Sequence, residues 1–425
     1  MWQIFLVFAV LLGLIFTGLP IFATLIITTI AFMLGMGLPL NLVVIKMFGA
    51  VNSFSLMAIP FFIIAGNIMG KANITDNIIS LSDALVGQFK GGLGAVNILA
   101  SMFFGGIQGS GIADASAIGG MLIPAMEKQG YDTDYSVAVT AGSAMLSPII
   151  PPSIAMILYS FYTEIPVSKL FLGGIIPGVM ICVLQMAWNR AEYSLRNYHI
   201  PTHAFSFKYL CKTLYCSLGA LLMPLIIIIG IVSGIVTATE AGVIAIAYGL
   251  VYGILISKKL KWSDMPGILL ESGVTTAVVM ITISAAGALS NVLVRMRFQN
   301  SVQQFVVNGI GSPIAGSLFL MLIIFVLGMF LDPTVLIAML STTILSVGNA
   351  FGLDPVFYGV IMVIMMQVGA ITPPVGSFLF VSCAIGKIPI DKVVKPLLPF
   401  IATVILTLLV CMLFPRLVTF LPGLV

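Results

Sequence analysis

Two stretches decide how this chain folds: Ser147-Pro148-Ile149-Ile150-Pro151-Pro152-Ser153 and Ala370-Ile371-Thr372-Pro373-Pro374-Val375-Gly376-Ser377. Each interrupts an apolar run, 132–163 and 355–386, that is long enough to cross a bilayer. Proline lacks the N–H a helix needs, and its ring clashes with the preceding turn, so a Pro-Pro step cannot continue a helix. Both runs must therefore unwind near their middle. Irregular backbone at membrane depth survives only where protein or a water-filled cavity covers it. Unwinding frees carbonyls on one side of each break, which suit a cation. It also exposes a helix N-terminus on the other side, which suits an anion. Hydroxyls flank both breaks: Ser147 and Ser153 in the first, Thr372 and Ser377 in the second.

The rest of the composition fits a chain built for lipid. Of 425 residues, 60% are hydrophobic and only 8% charged, against roughly 25% charged in soluble domains. With a mean hydropathy of +1.20 the chain reads as an all-α polytopic membrane protein. The net charge of +4 is small and its bases are scattered, which excludes a nucleic-acid-binding domain. Five cysteines, mostly in or beside apolar runs and without metal-ligand spacing, exclude a disulfide or zinc scaffold. No G-x-x-x-x-G-K-[ST] loop is present, so nucleotide hydrolysis is not expected. The apolar N-terminus lacks a basic n-region and reads as membrane sequence.

About 20 apolar residues cross ~30 Å of hydrocarbon. On that measure, spans are expected at 3–18, 20–36, 52–70, 132–163, 170–188, 219–234, 238–257, 273–294, 355–386 and 397–415, with Gly18-Leu19-Pro20 separating the first two. Runs 92–127 and 313–348 break at Gly105 through Asp114 and at Phe330-Leu331-Asp332-Pro333-Thr334. At ~1.5 Å per residue the arms of the first are ~24 and ~20 Å long, too short to cross, so each run reads as a re-entrant hairpin. With the N-terminus outside, 13 of the 18 bases fall inside, leaving Lys46, Lys169, Arg295, Arg297 and Arg416 outside.

The two halves repeat each other. Asp132 and Asp354, and Pro151-Pro152 and Pro373-Pro374, stand 222 residues apart; Ala65-Gly66 and Ala286-Gly287 stand 221 apart. The first repeat occupies 1–189, with scaffold spans in 1–90, hairpin and broken span in 91–163 and last span 170–188. An inside linker, 190–216, carries both histidines, His199 and His203. The second repeat is 217–425, with scaffold spans in 217–310, hairpin and broken span in 313–386 and last span 397–415. Five crossings per repeat invert the second one, an arrangement typical of secondary transporters.

Three acids lie at apparent depth, Asp114, Glu240 and Asp332, with no deep base beside them. Such a carboxylate needs a cation or a proton, and hydroxyl and carbonyl oxygens suit a hard cation such as Na+. Asp114 and Asp332 also stand where a helix starts, so capping is an equally open role. Glu240 in Thr237-Ala238-Thr239-Glu240 reads as a cap. An ion channel would need an open polar path, but Pro, Ile and Gly close these breaks. An intramembrane protease needs a second aspartate in G-x-G-D, which is absent, and a serine enzyme needs a base, whereas both histidines lie in the linker.

At these residues the chain resembles the large membrane subunit of tripartite ATP-independent periplasmic (TRAP) transporters, over essentially its whole length. The resemblance is carried by Phe103-Phe104-Gly105-Gly106 through Asp114, Ile123-Pro124-Ala125-Met126 with Gly130-Tyr131-Asp132, and both breaks. Ser233-Gly234-Ile235-Val236-Thr237-Ala238-Thr239-Glu240-Ala241 completes it. Gln108 departs from the family pattern.

The resemblance implies an ion-transporter-superfamily elevator fold. Its scaffold comprises the first three and last spans of each repeat, around a mobile domain of hairpins and broken spans. It implies Na+-coupled uptake of an organic acid, sialic acid favoured over a C4-dicarboxylate, in the bacterial inner membrane. A small four-span membrane subunit and a soluble periplasmic binding protein are the implied partners. No cofactor is expected beyond Na+ as coupling ion. Carried over, the cation residues are Ser110, Gly111, Asp114, Ser147 and Ser153 in the first half, and Asp332, Thr334, Thr372 and Gly376 in the second. Ser110, Ser153, Asp332, Thr372 and Ser377 would face the substrate.

Overall fold

The computed structural model describes residues 2–200 and 204–425. These form α-helices joined by turns and short 3-10 and π segments, with no strand among the described residues. The first half runs α1 (Trp2–Phe16), α2 (Ile21–Gly35), α3 (Asn41–Val51), α4 (Ala58–Lys71), α5 (Ile74–Val86), α6 (Gly92–Gln108), α7 (Gly111–Lys128), α8 (Thr133–Ala144), α9 (Ile154–Thr163) and α10 (Val167–Leu195). The second runs α11 (Phe207–Val232), α12 (Ala238–Val251), α13 (Met265–Arg295), α14 (Phe298–Gln304), α15 (Pro313–Gly328), α16 (Pro333–Ala350), α17 (Pro355–Ala370), α18 (Ser377–Gly386), α19 (Ile390–Leu413) and α20 (Arg416–Thr419).

The Pro-Pro steps end helices as expected: 132–163 becomes α8 and α9, and 355–386 becomes α17 and α18. Both Pro151-Pro152 and Pro373-Pro374 are cis. The helix starts recur at the spacing read from sequence: α7 and α16, and α8 and α17, begin 222 residues apart. Local chemistry sets these starts. Asp354 caps α17 by accepting from the Phe357 N–H at 2.9 Å, with Pro355 in the first turn, where its missing N–H costs nothing.

Among the described residues, six helices are long and apolar enough to cross a bilayer, seven if α3 and α4, bent by 66°, form one span. This is fewer than the ten spans expected, because α1 and α2 have 15 residues each and the broken spans divide into short halves. The bend belongs to the first half alone: in the second, α13 runs unbroken for 31 residues. The first hairpin tip is also shorter than expected. Only Gly109 and Ser110 leave the helix, so Asp114 sits one turn inside α7.

Two sets of helices can be followed through the packing, and they touch where α13 lies on α16 and α4 on α6. α13 lies along α2, α3 and α4, and α12 packs on α4. Polar ties join them: Asn67 donates to Ser272 Oγ at 2.8 Å and Ser284 to the Met47 carbonyl at 2.8 Å. The other set joins the halves as well. α7 packs on α8 and on α18 from the opposite half, while α16 packs on α17 and on α9.

The last helices, α10 and α19, pack on each other and on the broken spans, where the resemblance implied a place in the scaffold. The cause is polar. Gln185 of α10 donates to the Gly142 carbonyl of α8 at 2.9 Å, and Asn189 donates to the Gly91 carbonyl at 3.0 Å. Buried amides need such partners, so α10 is fastened to α8 and the start of α6.

Candidate functional site

Each hairpin tip is stitched to the break of its own half. The Ile154 N–H donates to the Gly109 carbonyl at 3.3 Å, and the Val375 N–H donates to the Met329 carbonyl at 3.1 Å. Gly109 has φ +63, and a Cβ there would collide with the Pro152 carbonyl, so only glycine lets the tip lie this close. Gly111 lies against the Phe378 ring with no room for a side chain. The first tip thus touches the start of α18. The second touches the same place, since Ser377 Oγ donates to Asp332 Oδ2 at 3.4 Å. Both tips converge on the N-terminus of α18.

The expected residues divide according to how their polar atoms are used. Ser153 caps α9, accepting from the Met156 N–H at 3.1 Å while its own proton goes to the Pro148 carbonyl. Thr372 donates to the Val368 carbonyl at 2.7 Å. Asp332 caps α16, accepting from the Thr334 N–H at 2.9 Å and the Thr334 hydroxyl at 2.7 Å. Ser110 stands at the N-cap of α7 in extended backbone without making a capping bond. Gly376 bends the chain into α18 at φ +41. Glu240 is an exposed capping-box residue with Thr237, as its sequence suggested.

Asp114 is different. It is 0% exposed, and neither carboxylate oxygen has a hydrogen-bond partner. Ser147 is likewise 0% exposed with an unpartnered hydroxyl. A buried unpaired charge is too costly to persist, so Asp114 either holds a proton or shares its site with a cation. The available donors around the breaks are carboxylate, hydroxyl and freed carbonyl oxygens, the hard set that fits Na+.

The motif reading missed the groups below Asp114. Asn97 and Ser101 on α6 and Thr140 and Ser143 on α8 are all at most 1% exposed and are hydrogen-bonded to one another. Their spacing was the available signal: 97 and 101, then 136, 140, 143 and 147, each one helical turn apart, on two facing apolar runs. A second group that was missed ties the linker to α8. Arg196 bonds Asp132 and Asp134 at 2.9 Å each, and the Tyr198 hydroxyl donates to Asp132 at 2.8 Å.

Broken helices at membrane depth, two tips meeting between them and a buried carboxylate without a partner define a multi-pass secondary transporter. Residues 8–417 match the family described as tripartite ATP-independent periplasmic transporter, DctM component, and the chain belongs to it. It is a TRAP large permease, of a transporter family and not an enzyme family. Members of the family work with a small membrane subunit and a periplasmic binding protein. The chain is 32% identical to the sialic acid TRAP transporter large permease protein SiaM of Vibrio cholerae, covering 97% of each. It is 30% identical to the C4-dicarboxylate TRAP transporter large permease protein DctM of Pseudomonas aeruginosa, covering 89% of this chain and 88% of that one. Its fold is similar to the YdaH transporter of Alcanivorax borkumensis, with a TM-score of 0.57 over 86% of each chain at 14% identity.

Proposed function

We propose that this chain drives inward transport of an organic acid with the Na+ gradient, in a complex with a small four-span membrane subunit and a periplasmic binding protein. The observation that carries this reading is Asp114, fully buried and without a partner beside a hairpin tip and an unwound span. No Lys or Arg lies in either break or hairpin tip, so an anionic substrate near Asp114 and Asp332 would meet only negative charge. Na+ bound first inverts that field, and the helix N-termini at the breaks then hold the carboxylate.

The substrate faces Ser110, Ser153, Asp332, Thr372 and Ser377. The cations use Ser110, Gly111, Asp114, Ser147 and Ser153, and Asp332, Thr334, Thr372 and Gly376. Sialic acid is favoured over a C4-dicarboxylate by overall resemblance; relatives named for each are found at similar identity. The recurrence of helix starts supports two inverted repeats, and the elevator is read as the set holding the hairpins and broken spans sliding where α13 lies on α16 and α4 on α6. The chain is placed in the inner membrane with its N-terminus periplasmic.

Calorimetric titration of the acid into the purified complex tests the order of binding. Affinity should fall steeply when choline replaces Na+; equal affinity in both would refute Na+-first binding. Strong binding of the acid in choline at acid pH would favour a proton-coupled carrier.

A further inference from the structure

We infer that a groove between α12 and α13 binds an anionic phospholipid, its phosphate on Lys71, Lys258, Lys259 and Lys261 and its acyl chains along α4. Such a site does not depend on which ion drives transport.

The turn 257–261 joins α12, with its π segment Tyr252–Ile256, to α13, and both flanking helices are long and apolar enough to cross a bilayer. Leu260 fixes the turn: it is 3% exposed and packs with Ile68 of α4 and Ile268 of α13. Its N–H donates to the Gly253 carbonyl at 3.1 Å, and the Lys261 N–H donates to Asp264 Oδ2 at 2.9 Å. With Leu260 turned in, Lys258, Lys259 and Lys261 are left exposed. Lys71 ends α4 beside them, because a Cβ on Gly253 would lie 2.9 Å from Leu260 Cβ and 3.3 Å from the Cβ of Ala72. Among the described residues, none of the four lysines forms an ion pair. The acids of these segments are placed elsewhere. Asp264 is bonded to the turn itself, Asp76 lies in α5, which packs on α6 and α11, and Glu271 stands about two turns further along α13.

An apolar groove leads away from these charges. α12 and α13 both pack on α4, and neither packs closely on the other. On α4, Phe61 and Ile68 meet Gly242 and Gly249 of α12, whereas Asn67 meets Ser272 of α13. At about 3.6 residues per turn these contacts lie roughly 100° apart around α4, and the strip between them carries Ile64 and Lys71. The walls are Ile246, Leu250 and Ile254 of α12 and its π segment, and Met265 and Ile268 of α13. A phosphate suits unpaired ammonium groups at the mouth, and acyl chains suit the groove; a free inorganic anion would gain nothing from the apolar part. Trp262, 72% exposed, stands at the same end, where indole rings favour the headgroup level.

The test is quenching of Trp262 fluorescence by brominated acyl chains, in the purified complex reconstituted into bilayers. The share of Trp262 is the difference between wild type and Trp262→Phe. Brominated phosphatidylglycerol should bind there about five- to tenfold more tightly than brominated phosphatidylcholine at equal mole fraction. Raised salt should weaken that preference. Lys71→Gln, Lys258→Gln, Lys259→Gln and Lys261→Gln together should bring the two lipids to parity, while Lys208→Gln with Lys212→Gln, on α11, should keep the wild-type preference. If the fourfold variant does not fold, Lys258→Gln with Lys259→Gln, both in the exposed turn, should lower the preference at least about twofold. Equal quenching of wild type by the two lipids would overturn the assignment, as would a preference that survives loss of the lysines. Quenching by neither lipid would also overturn it, and would mean that the small subunit covers the groove.

Discussion

Asp114 and Asp332 differ in what surrounds them, and they should fail differently when neutralised. Asp332 is fully engaged as a cap, whereas Asp114 is wholly buried and caps nothing. Asp114→Asn should abolish Na+-driven uptake while leaving Tm in choline equal to or above wild type, because it removes an unpaired buried charge. A large loss of Tm in choline would mean that Asp114 is structural. Asp332→Asn keeps a capping oxygen and should change stability little, whereas Asp332→Ala should cost about 1 kcal/mol, read as a lower Tm. The acids were legible in the sequence because charge in an apolar run is conspicuous. The ladder of Asn97, Ser101, Thr140 and Ser143 was not, because it depends on which atoms of α6 and α8 meet.

At the scale of elements, the breaks were readable because proline acts locally. The α3–α4 bend and the straight α13 were not read, although Pro60, in the first turn of α4, has Ile281 at the matching place in α13. Helix crossings were hidden too. Gly328 and Gly369 let α15 and α17 meet backbone to backbone, and a Cβ on Gly105 would lie 2.6 Å from Ser147 Cα. Gly369→Ala would drive a methyl into the Gly328 backbone, and a loss of about 1–3 kcal/mol is expected, measured by thermal unfolding in detergent.

The Arg196 clamp fastens the linker to the start of α8. Burial pushes the Tyr198 phenol up to about 12, so it remains a donor to Asp132 at any physiological pH. Because this folded-state value is raised, the contribution is complete below the ordinary phenol range and fades only as pH rises through about 12. The Tm difference between wild type and Tyr198→Phe should therefore be constant from about pH 6 to 9. A difference that changes across that window would contradict the assigned bond.

At the scale of the molecule, the two sets of helices meet where α13 lies on α16 and where Gln108, at the end of α6, presses on Gly66 of α4; a Cβ on Gly66 would lie 2.5 Å from Gln108 Cγ. A cavity of about 450 Å3 opens elsewhere along this boundary, lined by Phe54, Ile157, Phe161, Ile231 and Thr239. If the groups slide, a disulfide between Gly66→Cys and Gln108→Cys in a background without the native cysteines should stop uptake, and reduction should restore it. Uptake that persists through quantitative cross-linking would rule out sliding at this contact. The most direct test of the central claim is uptake into proteoliposomes. The chain is reconstituted with its small subunit and given an inward Na+ gradient, a loaded binding protein, and labelled sialic acid or labelled succinate in separate trials. Accumulation of one acid, abolished when Na+ or the binding protein is omitted, is the predicted result. Accumulation that proceeds without Na+ would contradict the account.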